Sequence, residues 1–179
     1  MKFNAKDLAA ISLCAALWAI LNVMIGPAFW NMTHLPILCD MIGISLLALV
    51  TWWTRKLGAA SLTGMVATVL NLALSPSSIH FLGFTVASIV FDVTMRLLGY
   101  EMSLDKGIKG VSFILAASLL STLVAGVIIG TFFMAPAIIS GGYGGVVFFA
   151  ILHGVGGLVG GILGIVFIRG LESRHVFPG

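Results

Sequence analysis

Between Lys56 and Asp92 the chain reads LGAASLTGMVATVLNLALSPSSIHFLGFTVASIVF, with no Asp, Glu, Lys or Arg over residues 57–91. A helix needs about 20 mostly apolar residues to cross a hydrocarbon layer of about 30 Å. This stretch is too long for one crossing. Near its middle stands Ser75-Pro76-Ser77-Ser78, and a proline among serines marks a turn. The segment therefore reads as two membrane helices joined as a hairpin. The same pattern recurs on either side. Asp7 to Asp40 and Lys109 to Arg169 are free of such charges between their ends, and are broken at Gly26-Pro27 through Pro36 and at Pro136 through Gly145. Six spans follow, roughly 8–29, 36–54, 57–75, 80–99, 109–135 and 143–169. The expected class is an all-α, integral-membrane bundle of six helices forming a single transmembrane unit over 1–179, with no stretch outside the membrane long enough for a second domain.

Composition agrees. The hydrophobic set makes up 60% of the chain and charged residues 8%, against roughly 25% charged residues in soluble domains. The mean hydropathy is +1.17. A soluble enzyme, a disordered segment and a nucleic-acid binder are excluded together. Cys14 and Cys39 both lie in apolar stretches and offer neither a disulfide framework nor a C-x-x-C metal spacing. No two His or acidic residues have close ligand spacing within one helix, so no metal and no cofactor is expected.

The nine Lys and Arg residues fall on one side of this partition. Lys2 and Lys6 precede the first span, Arg55 and Lys56 join the second to the third, Arg96, Lys106 and Lys109 bracket the fourth and fifth, and Arg169 and Arg174 follow the sixth. Cytoplasmic loops are enriched in Lys and Arg, so both termini are expected in the cytoplasm of a multi-pass cell-membrane protein. The first span is longer than the apolar core of a secretory signal and lacks a convincing cleavage site, so it reads as retained. Residues 1–90 and 91–179 show no convincing internal match, which argues against a carrier built from inverted repeats.

Polar residues gather at the opposite, outer side. Trp30, Asn31 and His34 lie in the first outer loop, Asp40 opens the second span, and Asn71 is near the outer end of the third. Ser77, Ser78 and His80 form the next turn, Tyr143 starts the sixth span, and His153 lies two to three turns below it. Ionisable groups inside a bilayer are costly and mark functional sites. Ligand pockets combine apolar walls with a few orienting polar groups. The bland alternative assigns Trp30 and Tyr143 to the interfacial aromatic belt. The outer side has one carboxylate and no Lys or Arg, whereas a carboxylate or phosphate ligand calls for a cation such as a bidentate Arg. A neutral or cationic ring, stacked on Trp30 or Tyr143 with Asp40 as counter-charge, fits better. That favours a pyrimidine, thiamine-like or flavin-like compound over biotin, folate or pantothenate. On the inner side, Asp92 and Arg96 are four apart on one helix face and are expected to form an ion pair.

Small residues recur at helical spacing. Ser12/Ala16 and Ala15/Ala19 flatten one side of the first span, while Gly126/Gly130 and Gly156/Gly160/Gly164 do so in the last two. Such spacing lets backbones approach closely. The glycine lines read as internal packing and the first-span stripe as a candidate docking face. With its six short-looped spans, inward termini, outward polar loops and Arg55-Lys56-Leu57-Gly58-Ala59-Ala60 turn, the chain resembles the substrate-binding S-component of an energy-coupling factor (ECF) vitamin transporter. The resemblance implies an outward vitamin pocket beneath the loop joining the first two spans. It also implies that Ser12, Ala15, Ala16 and Ala19 meet a transmembrane coupling subunit driven by two cytoplasmic ATPases. The chain has no G-x-x-x-x-G-K-S/T motif of its own. Import, not catalysis, is the expected role. One alternative is an intramembrane protease: His153-x-x-Gly156-x-x-x-Gly160-x-x-x-Gly164 resembles the last catalytic helix of rhomboids, yet Gly83-Phe-Thr-Val-Ala-Ser88 lacks their Gly-x-Ser nucleophile. Another is a haem protein, with His80 and His153 as axial ligands.

Overall fold

The structure, a computed structural model, describes residues 2–176. Its regular structure is entirely helical among those residues: α1 (Ala5–Thr33), α2 (Ile37–Thr54), α3 (Ala59–Leu74), α4 (Phe81–Leu98), α5 (Tyr100–Ser103), α6 (Ile108–Phe132), α7 (Pro136–Gly142) and α8 (Val146–Ser173). Five of these, α1, α2, α4, α6 and α8, are long and apolar enough to cross a membrane. With 16 residues, α3 spans only about 24 Å at 1.5 Å per residue, short of the expected full crossing. Large apolar side chains stand on the outside of the bundle, among them Leu13 (70% exposed), Leu97 (82%) and Val147 (76%). A soluble monomer does not expose apolar surface on that scale. The chain is a multi-pass membrane protein.

Local chemistry sets the helix ends. Asn4 caps α1 by accepting from the Asp7 amide at 2.9 Å while its own amide donates to Asp7 at 2.8 Å, a reciprocal capping box. The break expected at Gly26-Pro27 does not occur, and α1 runs on to Thr33 with Pro27 inside it. A single proline removes one backbone donor, and Gly26 before it has no side chain to crowd the ring. The real stop is His34, at φ +55°, whose amide donates to the Trp30 carbonyl at 2.8 Å. The following turn is closed by Pro36.

The six long helices pack in a ring in the order α1, α3, α4, α6, α8, α2 and back to α1. The most enclosed is α2, where Ile42 through Ala48 are all buried. It lies against α8, and the glycines of α8 make that possible. A β-carbon at Gly156 would stand 2.8 Å from the Ile37 carbonyl oxygen, and one at Gly160 would stand 2.8 Å from that of Met41. Gly161 faces Ser118 of α6, and Gly126 faces Ala150 and His153 of α8. The glycine lines are therefore internal packing, as expected.

The alanine stripe of α1 is different. Ala15 (0% exposed) and Ala19 (1%) point into the bundle, because helical geometry puts them on the same face as Ile11, Trp18 and Asn22. They cannot present a docking surface. Ser12 is exposed and Ala16 half-buried on the outer side.

Ion pairs collect at the end where α1 begins and α2 stops. Lys56 meets Asp7 at 2.6 Å, Arg55 meets Glu101 at 3.1 Å, and Glu172 takes Lys106 at 3.4 Å and Arg169 at 3.0 Å. Glu172 also accepts from the Trp52 indole at 3.2 Å. The expected Asp92–Arg96 pair does not form. Asp92 Oδ2 instead accepts from the Gly58 amide (2.8 Å), the Ser61 amide (3.0 Å) and the Ser61 hydroxyl (2.8 Å). Three donors at the start of α3 outcompete one guanidinium, because a helix N-terminus offers unsatisfied amides that a carboxylate fits. Arg96 is left exposed.

Candidate functional site: a cavity at the cation-free end

At the other end, where α1 stops and α2 begins, the helices enclose a cavity of about 430 Å3. That lies within the range of about 300–1,000 Å3 usual for small-molecule sites. Phe81 and Phe84 of α4, Ile129 of α6 and Phe149 of α8 supply apolar walls, and Trp30 and Pro27 of α1 lie nearer the loops. The polar lining is Asn22, Asn31, Asn71, His80, His153 and the serines of the α3–α4 turn, Ser75, Ser77 and Ser78. Neither Lys nor Arg, Asp nor Glu is among the lining residues.

Of the residues expected from sequence, the structure brings Trp30, Asn31, Asn71, His80 and His153 to this cavity. Three others are placed elsewhere. Asp40 is completely buried behind His153, its Oδ2 2.8 Å from His153 Nδ1. It opens α2 on the side facing α8, where Gly156 leaves room for it, so it backs the wall rather than meeting a ligand. The contact has the length of an ion pair without the alignment of a hydrogen bond. His34 is exposed, and its carbonyl accepts a hydrogen bond from the Tyr143 hydroxyl. Tyr143 itself is buried, with its ring 6.4 Å from Trp30 and 5.0 Å from Phe149. It braces the wall from behind. Both are expected to line the site from their place at the outer side, but the Tyr143 hydroxyl and the His34 carbonyl instead tie the two loop regions together.

Asn22 and Ser75 are the polar lining residues absent from the sequence candidates. An amide in an otherwise apolar span carries the same signal as Asn71, but Asn22 lies eight residues, more than two helical turns, before Trp30, where the outer polar residues begin. The phenylalanines carry no such signal, since a cavity wall and a packed core use the same side chains. His153 is held between Phe84 (5.9 Å) and Phe149 (4.8 Å, edge to face). His80, in the turn just ahead of α4, rests on Phe81 at 4.9 Å. Burial pushes its imidazole down to about 4, and the nearby His153 adds to the effect, so at neutral pH it is an uncharged part of the lining.

The cavity has room for a small, largely apolar molecule oriented by a few polar groups. Comparison with family models, with curated proteins and with solved structures gives no match for this chain.

Proposed function

We propose that this protein captures a small organic micronutrient from the outer face of the cell membrane and delivers it inward with an ATP-driven ECF-type module. The observation that carries this reading is the aromatic- and amide-lined cavity at the end of the bundle opposite the Lys and Arg residues. In this reading the positive-inside rule sets both termini in the cytoplasm, α3 completes six spans as a short helix, and the cavity mouth faces the medium. The absence of any cationic lining residue favours a neutral or cationic ring, of the pyrimidine, thiamine-like or flavin-like kind, over a carboxylate vitamin. A site for an anion would need an arginine or its equivalent to offset desolvation.

Because Ala15 and Ala19 face inward, contact with a coupling subunit falls to the outward side of α1, where Ser12, Leu13 and Ala16 lie. Tryptophans at Ser12 and Ala16 are expected to leave ligand binding intact and abolish uptake in cells. Uptake that persists would move the docking face elsewhere. The direct test of capture is native mass spectrometry of the purified protein, which is expected to show a co-purified small molecule lost in a Phe84→Trp variant that fills the cavity. A protein that is empty under all growth conditions would sink the reading.

A further inference from the structure

The cavity has a hydrogen-bonding polarity that composition alone does not reveal. Asn71 is 1% exposed and donates its amide N–H to the Ala67 carbonyl at 2.8 Å. Asn22 is 4% exposed and donates in the same way to the Trp18 carbonyl at 3.2 Å. Each amide is thus pinned by its own helix through its nitrogen. Turning either one over would set oxygen against carbonyl oxygen, so the orientation is fixed by the bond. Both Oδ1 atoms are left buried and without a hydrogen-bond partner, and both residues line the cavity. Beside Asn22 the helix is bare: a β-carbon at Gly26, also in the lining, would be 4.0 Å from its Oδ1. His153 Nε2 is a third buried polar atom without a partner in the same wall. Buried polar atoms are nearly always satisfied, and leaving one unpaired costs more than a hydrogen bond gains.

We infer that the cavity selects a planar heterocycle, uncharged or singly cationic, that presents at least two N–H or O–H donors, one to Asn22 Oδ1 and one to Asn71 Oδ1. This inference rests on the ligand-capture reading and narrows it. Two pinned, unpartnered acceptors in the walls of one cavity disfavour a ligand edge built from carbonyls and favour one built from amino groups. Amino-substituted rings are therefore accepted, and rings that turn two carbonyls to these positions are rejected. A site built to bond a donor discriminates strongly against an analogue lacking it, because its own buried groups are then left unpaired.

The test uses two rings of equal shape, 2,4-diaminopyrimidine and 2,4-dimethylpyrimidine, titrated calorimetrically into the full-length protein in detergent. The diamino ring is expected to bind more tightly by about tenfold or more. Asn71→Leu and Asn22→Leu are each expected to erase that preference. Thermal melting of each variant confirms that it is folded. Equal binding of the two rings, or a preference that survives both leucine variants, overturns the donor rule and leaves capture standing. Binding of neither ring also overturns it, and capture falls as well only if native mass spectrometry finds no co-purified molecule.

Discussion

His153 Nδ1 lies 2.8 Å from Asp40 Oδ2 across the boundary between α8 and α2, with both side chains closed off from solvent. An uncompensated carboxylate at that depth is expensive, and removing one partner of a buried pair costs about 3–5 kcal/mol. Asp40→Ala should therefore destabilise the protein by that order, and so should His153→Ala. The double variant should cost less than the sum, since the two share one interaction. Melting curves in detergent for the full cycle give the answer, and strict additivity would mean that the contact contributes nothing.

The glycine line of α8 makes a graded prediction. A methyl at Gly160 meets the Met41 and Asp40 carbonyl oxygens at 2.8 and 3.0 Å, all of them backbone atoms that cannot swing aside. Gly160→Ala should cost about 1–3 kcal/mol through overpacking. At Gly170, further along the same helix, an added methyl meets nothing within 4 Å. Gly170→Ala should be neutral or slightly stabilising, given the better helix propensity of alanine. Comparable losses at the two sites would contradict the packing described.

Asp92 separates two roles for one carboxylate. As the acceptor of three hydrogen bonds at the start of α3, its replacement by alanine should cost about 1–3 kcal/mol. Arg96→Ala should leave the melting temperature nearly unchanged. If the two substitutions had equal effects, an ion pair along α4 would be the better description.

How much of this was legible beforehand varies with the kind of interaction. The hairpin at Ser75–Ser78, the five long helices and the glycine packing follow from charge-free runs and turn residues, because hydrophobic thickness acts on composition. The cavity's general place was legible too, through Asn71, His80 and His153. Rotation about a helix axis was not. Ala15 and Ala19 look like a surface stripe in sequence, and only packing against neighbours decides which side of α1 they occupy. Asp92 had two partners available, and the amides of Gly58 and Ser61 come from another helix 31–34 residues away in sequence. In sequence Asp40 reads as a costly carboxylate that calls for a ligand as counter-charge, whereas the structure sets it against His153.

His80 predicts a response to pH. Its folded value near 4 lies below its ordinary 6.5, so between these values the unfolded chain binds a proton that the folded protein refuses. This contribution makes stability fall as pH drops below 6.5 and level off below about 4. His80→Asn should flatten that part of the profile, measured as the difference in melting temperature between wild type and variant from pH 7.5 to 4.5. Parallel profiles would place His80 in contact with water.

The enclosure of α2 has a consequence for how the bundle is made. Two thirds of its membrane-length window (67%) is buried inside the protein, and much of that cover comes from α8. Synthesis runs from the N-terminus, so Asp40 enters the bilayer early and its imidazole partner leaves the ribosome more than a hundred residues later. Until then the nascent chain carries an orphan acid, and assembly closes only with the last helix.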